Sequence, residues 1–123
     1  MRVTLRLDFG PRRHLGHGKV RLLELIDENG SISSAARAMG MSYRRAWLLT
    51  DEVNRMFVEP VFATKLGGKG GGNAQLTEFG RSLVDLYRRM ERQTENDFGA
   101  DLRKLEAALA PVDARSHLAG DGR

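Results

Sequence analysis

Apolar and polar residues alternate at the start of the chain. Val3, Leu5, Leu7 and Phe9 fall on one face of residues 2–9, the period-two pattern of a half-buried strand. Gly10 and Pro11 stop it, and Arg12, Arg13, His14 and the Gly16/Gly18 pair form a flexible basic connector. The period then changes. Val20, Leu22, Leu23, Leu25 and Ile26 make a wide apolar face that predicts a helix over 19–28, closed by Asn29-Gly30 as a left-handed C-cap. Ser31 or Ser33 caps a short second helix over 34–39, whose alanines allow another helix to approach closely. Gly40 closes it, Met41 fills the space under the turn, and Ser42 caps a third helix running from Tyr43 to about Arg55.

Residues 61–66 and 73–76 predict two strands of a hairpin whose tip, 67–72, is Gly-Gly-Lys-Gly-Gly-Gly. Thr77 caps the longest helix. Apolar residues recur at Leu76, Phe79, Leu83, Leu86, Met90, Phe98, Leu102, Leu105 and Leu109, with Thr94 as the weak position. Spacings of three and four sustained over that length predict a helix–helix seam. Gly99 marks a break or kink, Pro111 an end. The fold class is mainly α with a small β-hairpin: a winged helix-turn-helix plus a long C-terminal helix, to which a family resemblance adds a dimerisation role. The organisation is a DNA-binding core over 1–76, the long helix over 77–110 and a disordered tail over 111–123.

The stretch from Ile32 to Val53 carries the strongest functional signal. Ala36, Gly40 four residues on, and Ala46 fit a bihelical DNA-binding unit, which needs a small residue where the helices cross and glycine where the chain turns left-handed. The third helix packs through Ala46, Leu49 or Thr50, Val53 and Phe57, leaving its first turn free for the major groove. That turn holds Ser42, Tyr43, Arg44 and Arg45. The arginines suit phosphate or guanine edges, and the hydroxyls suit phosphate oxygens. On the hairpin, Lys65 at the base and Lys69 in the tip suit a phosphate strand or the minor groove.

Charge strengthens this picture. The net +4 divides into +5 over residues 1–50, +1 over 51–90 and −2 over 91–123, so the positive field belongs to the N-terminal half. Other chemistry finds little support. There are no cysteines, so disulfide scaffolds, thiolate zinc sites and cysteine nucleophiles are excluded. No apolar run reaches membrane-spanning length, and because residues at the N-terminus alternate polar and apolar with no continuous apolar region, a secretory signal is not expected. The glycine tip lacks P-loop spacing, because Lys69 is followed by glycines rather than Ser or Thr and a helix. His14, His17 and His117 lack metal-ligand spacing, Asp51-Glu52 and Arg88-Arg89 suit solvated helix surface, and Trp47 suits the core. No nucleophile–base–orienter set emerges, so neither an enzyme, a metal nor a cofactor is expected. The expectation is a sequence-specific, cytoplasmic, nucleoid-associated regulator that binds double-stranded DNA; the alternative is a single-domain winged-helix protein-interaction module. The operator, the target genes and any effector are not specified by the sequence.

The segment Gly30-Ser-Ile-Ser-Ser-Ala-Ala-Arg-Ala-Met-Gly-Met-Ser-Tyr-Arg-Arg-Ala-Trp, with Glu52-Val-Asn and Gly67-Gly-Lys-Gly-Gly-Gly-Asn-Ala-Gln-Leu-Thr, resembles the N-terminal DNA-binding domain of the molybdate-responsive (ModE-type) transcription regulators. The Ser-Tyr-x-x-Ala-Trp run and the glycine-rich wing are its specific parts; the winged helix of LysR-type regulators is more distantly similar. The resemblance implies a homodimer on a two-fold symmetric operator, joined largely through the long C-terminal helix, where Leu83, Leu86, Met90, Phe98 and Leu102 lie. It matches Ser42, Tyr43, Arg44 and Arg45 to the start of the recognition helix, Lys65 and Lys69 to the wing, and Ser33 and Ser34 to the start of the preceding helix. Full-length members add C-terminal molybdate-binding modules after the long helix. This sequence ends at Arg123, so the expected regulator lacks that module.

Overall fold

A computed structural model describes residues 1–65 and 73–112. Strand β1 (Arg6–Gly10) pairs antiparallel with β2 (Arg13–Gly16), from Arg6 opposite Gly16 to Gly10 opposite Arg13. The basic connector expected after Pro11 is therefore a second strand. Gly10 at φ 132° and Arg12 at φ 62° reverse the chain within two residues, and Leu15 is driven fully into the core. Phe9, expected on the buried face, is half exposed and sets its ring edge against Phe57, 6.1 Å between centroids.

Helix α1 (His17–Asn29) begins and ends slightly beyond its predicted limits. Gly30, at φ 78°, terminates it and donates its N–H to the Ile26 carbonyl at 2.8 Å, the left-handed cap that Asn29-Gly30 predicted. Helix α2 (Ile32–Ala38) starts at Ser31, whose hydroxyl accepts from the Ser34 N–H at 3.0 Å. Gly40, at φ 66°, turns the chain so that Met41 N–H reaches the Ala36 carbonyl at 3.0 Å. Helix α3 (Tyr43–Met56) follows its Ser42 cap.

Strand β3 (Phe62–Lys65) pairs antiparallel with β4 (Asn73–Leu76), Phe62 opposite Leu76 and Lys65 opposite Asn73. The glycine tip lies outside the described residues. Helix α4 (Glu78–Asp97) opens at Thr77, whose hydroxyl accepts from the Gly80 N–H at 3.0 Å. Phe98, at φ −113° and ψ 19°, separates it from α5 (Gly99–Ala107). The single helix expected over 77–110 is thus two helices ending at Ala107, divided where Gly99 weakens helix propensity. Pro111 and Val112 have no regular structure, and the rest of the expected tail lies outside the described residues.

The chain divides into two compact units, Thr4–Glu91, and Met1–Val3 together with the segment from Arg92 onward. The first holds two apolar clusters that share α1. Leu22, Leu25 and Ile26 pack on Ile32, Ala35 and Ala36 of α2, Ala46 of α3 and Ala74 of β4. Leu15, Val20 and Leu23 pack with Val53, Val61, Leu76, Val84 and Tyr87. The buried side of α4 in this unit is Gly80, Val84, Tyr87 and Glu91, one column over from the leucine stripe that the spacing emphasised. Tyr87 explains the difference: its hydroxyl donates to the Leu5 carbonyl at 2.6 Å, so the ring lies inside. Burial raises the pKa of its phenol. In the second unit the Val3 N–H donates to Glu95 at 3.0 Å and the N-terminal ammonium meets Glu106 at 3.5 Å.

Candidate nucleic-acid interface

Helix α3 is presented by its buried side. Ala46, Thr50 and Val53 are almost fully covered, and the Thr50 hydroxyl donates to the Trp47 carbonyl at 2.9 Å, so that buried hydroxyl is satisfied within its own helix. Ala46 has the small side chain that the crossing with α1 and α2 requires. With that column fixed, the 100° advance per residue sends Arg44 and Leu48 outward, Tyr43 and Trp47 to one flank and Arg45 to the other. Tyr43, Arg44, Arg45, Trp47 and Leu48 are all exposed. Trp47, expected in the core, is 44% exposed, because the position beside Ala46 already faces away from α1 and α2.

Ser42 caps the helix with its hydroxyl, accepting from the Arg45 N–H at 3.1 Å. Among the described residues, Arg44 and Arg45 have no carboxylate partner. The positive end of the α3 dipole and two unneutralised guanidiniums therefore coincide on one exposed turn, an arrangement that attracts phosphate. Arg45 also lines a shallow crevice with Arg6, His14 and Lys19. Further along α3, Asp51 is held by Arg55 at 2.8 Å, and Glu52 lies 3.8 Å from Lys19, so both carboxylates are engaged in ion pairs.

The hairpin is anchored to the same body. Asn54 Oδ1 accepts from the Val61 and Phe62 N–H groups at 2.7 and 3.3 Å. Asp27 Oδ1 accepts from the Leu76 N–H at 3.2 Å, and the Gly30 carbonyl accepts from the Ala74 N–H at 2.8 Å. These contacts hold both strand roots against α1 and α3. Lys65 stands at the end of β3, and Lys69 lies outside the described residues.

Ser33 and Ser34 meet in an unexpected way: Arg37 donates to both hydroxyls at 3.2 Å, forming a small polar cluster on α2. The serines are thus tied to a third basic residue that sequence reasoning passed over. Its signal was the spacing, since Arg37 follows them by four and three residues. The stripe residues divide. In the first unit Leu83 packs partly against the chain's own core, Met90 is half-buried and Leu86 is exposed. In the second, Phe98 is exposed and Leu102 half-buried.

No family model matches the chain. Individual relatives do. The "Molybdenum transport protein ModE" of Azotobacter vinelandii is 40% identical over 134 residues, covering 97% of this chain and 49% of that protein. The "DNA-binding transcriptional dual regulator ModE" of Escherichia coli K12 is 37% identical over 71% of this chain and 31% of its own length. This chain is homologous to the ModE-type regulators. It spans about half, or less, of the length of the ModE proteins that it matches. The "Molybdenum-pterin-binding protein MopA" of Rhodobacter capsulatus is 41% identical over 57% of the chain. The match to the Azotobacter ModE takes in nearly all of the chain, and with it the α2–α3 pair and the β3–β4 hairpin.

Beside these elements lies a polar network that the sequence placed at the surface. Arg88 donates to Glu24 at 2.9 and 3.0 Å and to Glu91 at 2.8 Å, joining α4 to α1. Its hydrogen bonds depress the pKa of Glu24. Arg89 alone of the pair is exposed.

Proposed function

We propose that this chain binds double-stranded DNA in a sequence-specific manner and regulates transcription. Helix α3 lies in the major groove and the β3–β4 wing flanks it, with Lys65 and Lys69 on the phosphate backbone and Ser33 and Ser34 presenting hydroxyls beside it. The observation that carries this reading is the first turn of α3: Tyr43, Arg44 and Arg45 are exposed, both arginines lack a carboxylate partner among the described residues, and the opposite side of the same helix is buried. The homologous ModE of Escherichia coli bears the name of a DNA-binding transcriptional regulator. The role is binding rather than catalysis, in the cytoplasm and on the nucleoid. Among the described residues no helix is long and apolar enough to cross a membrane.

The chain acts as a homodimer through its C-terminal helices, using Leu83, Leu86, Met90, Phe98 and Leu102. Each unit supplies exposed apolar residues for this, Leu86 in one and Phe98, Leu105 and Leu109 in the other. Two copies would engage half-sites about 34–36 Å apart, one turn of DNA. Selection of bound sequences from random duplexes, followed by titration at rising salt, tests the proposal. A shared motif and an affinity that falls linearly on logarithmic axes support it; recovery of random sequence, or salt-independent binding, counts against it. The same selection with and without molybdate tests sensing by this chain, molybdenum being the element in the relatives' names.

A further inference from the structure

We propose that the outer face of α3 distinguishes thymine through its 5-methyl group, with Trp47 and Leu48 as the contacting side chains and Tyr43 beside them. This rests on the DNA-binding function proposed above and goes further, to the base chemistry that the helix selects. Tyr43, Trp47 and Leu48 are 55%, 44% and 46% exposed, and with Arg44 they line one shallow depression. A single exposed apolar side chain is ordinary, but three large ones lining one depression across adjacent turns mark a contact surface.

Charge identifies the occupant. Arg44 lies within the patch, Arg45 and the Ser42 cap adjoin it, and the two acids of the adjoining crevice, Asp51 and Glu52, pair with Arg55 and Lys19 rather than with either arginine. A polyanion with apolar features fits that surface. In the DNA major groove, the thymine methyl is the apolar feature that base edges display, whereas guanine offers the acceptor pair that suits arginine. Geometry then relates the two. Arg44 and Leu48 share the outward column of α3, about 6 Å apart along the helix axis. Base pairs are stacked about 3.4 Å apart. A guanine taken by Arg44 and a thymine taken by Leu48 therefore lie about two base steps apart when the helix follows the groove. Trp47, on the flank, reaches the neighbouring position.

The test replaces each thymine of a selected site by uracil, one at a time, which removes the methyl group and leaves the hydrogen-bonding edges unchanged. Wild-type protein should bind about fourfold more weakly for each contacted methyl lost, the effect of one buried methyl-sized group. Leu48→Ala and Trp47→Ala should each bring the thymine-to-uracil ratio at its own position to about one, while the guanine preference set by Arg44 persists. Both side chains are exposed, so helical circular dichroism should be unchanged; should a variant fail to fold, the wild-type uracil series decides. Equal binding of thymine and uracil sites by the wild type overturns the proposal, as does discrimination that survives in both variants. Absence of any sequence preference in the wild type overturns the DNA-binding reading as well, so the two failures are distinguishable.

Discussion

Gly80 lies in the first turn of α4, directly over the root of the wing. An alanine there would place its methyl group inside the van der Waals radius of the Val61 carbonyl oxygen, 3.0 Å from the Val61 carbonyl carbon and 3.2 Å from Leu76 Cδ2. On an open helix, glycine to alanine gains about 1 kcal/mol. Here two effects oppose that gain. Overpacking against backbone costs about 1–3 kcal/mol. The Val61 carbonyl also accepts from the Thr77 N–H at 3.0 Å, and moving it weakens that bond, worth about 1 kcal/mol. The net expectation for Gly80→Ala is destabilisation by about 2 kcal/mol, or roughly 8 °C in Tm for a domain of this size. Urea and thermal unfolding followed by circular dichroism measure it. Gly18→Ala is the control: no atom lies within 4 Å of its added Cβ, and it should stabilise by about 0.5 kcal/mol. If Gly80→Ala is as stable as that control, the close approach of α4 to the wing root is wrong.

Other outcomes follow from the same geometry. The depressed pKa of Glu24 means that its pairing with Arg88 contributes fully above the ordinary carboxylate range and is lost as pH falls through the depressed value. Arg88→Met should therefore cost about 2 kcal/mol at neutral pH and flatten the acid limb of a stability–pH curve, measured by urea unfolding; an unchanged limb would contradict the pairing. Lys69→Ala should weaken binding to all duplexes alike and reduce the salt slope by about one, seen in anisotropy titrations. Leu86→Asp should shift sedimentation equilibrium toward monomer while leaving the helical spectrum intact, since Leu86 is exposed; an unchanged mass would remove Leu86 from the dimer contact.

What was legible in the sequence was mostly local chemistry. The Ser42 and Thr77 caps and the left-handed turns at Gly30 and Gly40 each depend on neighbours within about one helical turn and are present as expected, and of the two serines open to capping α2 it is Ser31 that does so. The α2–α3 pair followed from them. What was not legible depends on distant partners. Tyr87 is buried by a bond to Leu5, 82 positions away, and Arg88 leaves the surface for Glu24, 64 positions away. Neither partner is visible in the spacing of α4, which favours the leucine stripe over the adjacent column of Gly80, Val84, Tyr87 and Glu91 that is in fact buried. Trp47, a residue type more often found in cores, is 44% exposed because the neighbouring Ala46 takes the core-facing position. Strand β2 was hidden because its inward residue, Leu15, sits among Arg13, His14 and two glycines, a composition typical of loops.

The measurement closest to the central claim compares wild-type protein with Arg44→Ala on a selected site and on a scrambled duplex of equal length, at one salt concentration. If α3 takes its bases through Arg44, the variant should lose about 10-fold or more of the preference for the selected site, the worth of one bidentate arginine–guanine contact, while keeping most of its affinity for the scrambled duplex. Equal loss on both duplexes would reduce Arg44 to a phosphate contact and contradict the role assigned to the first turn of α3.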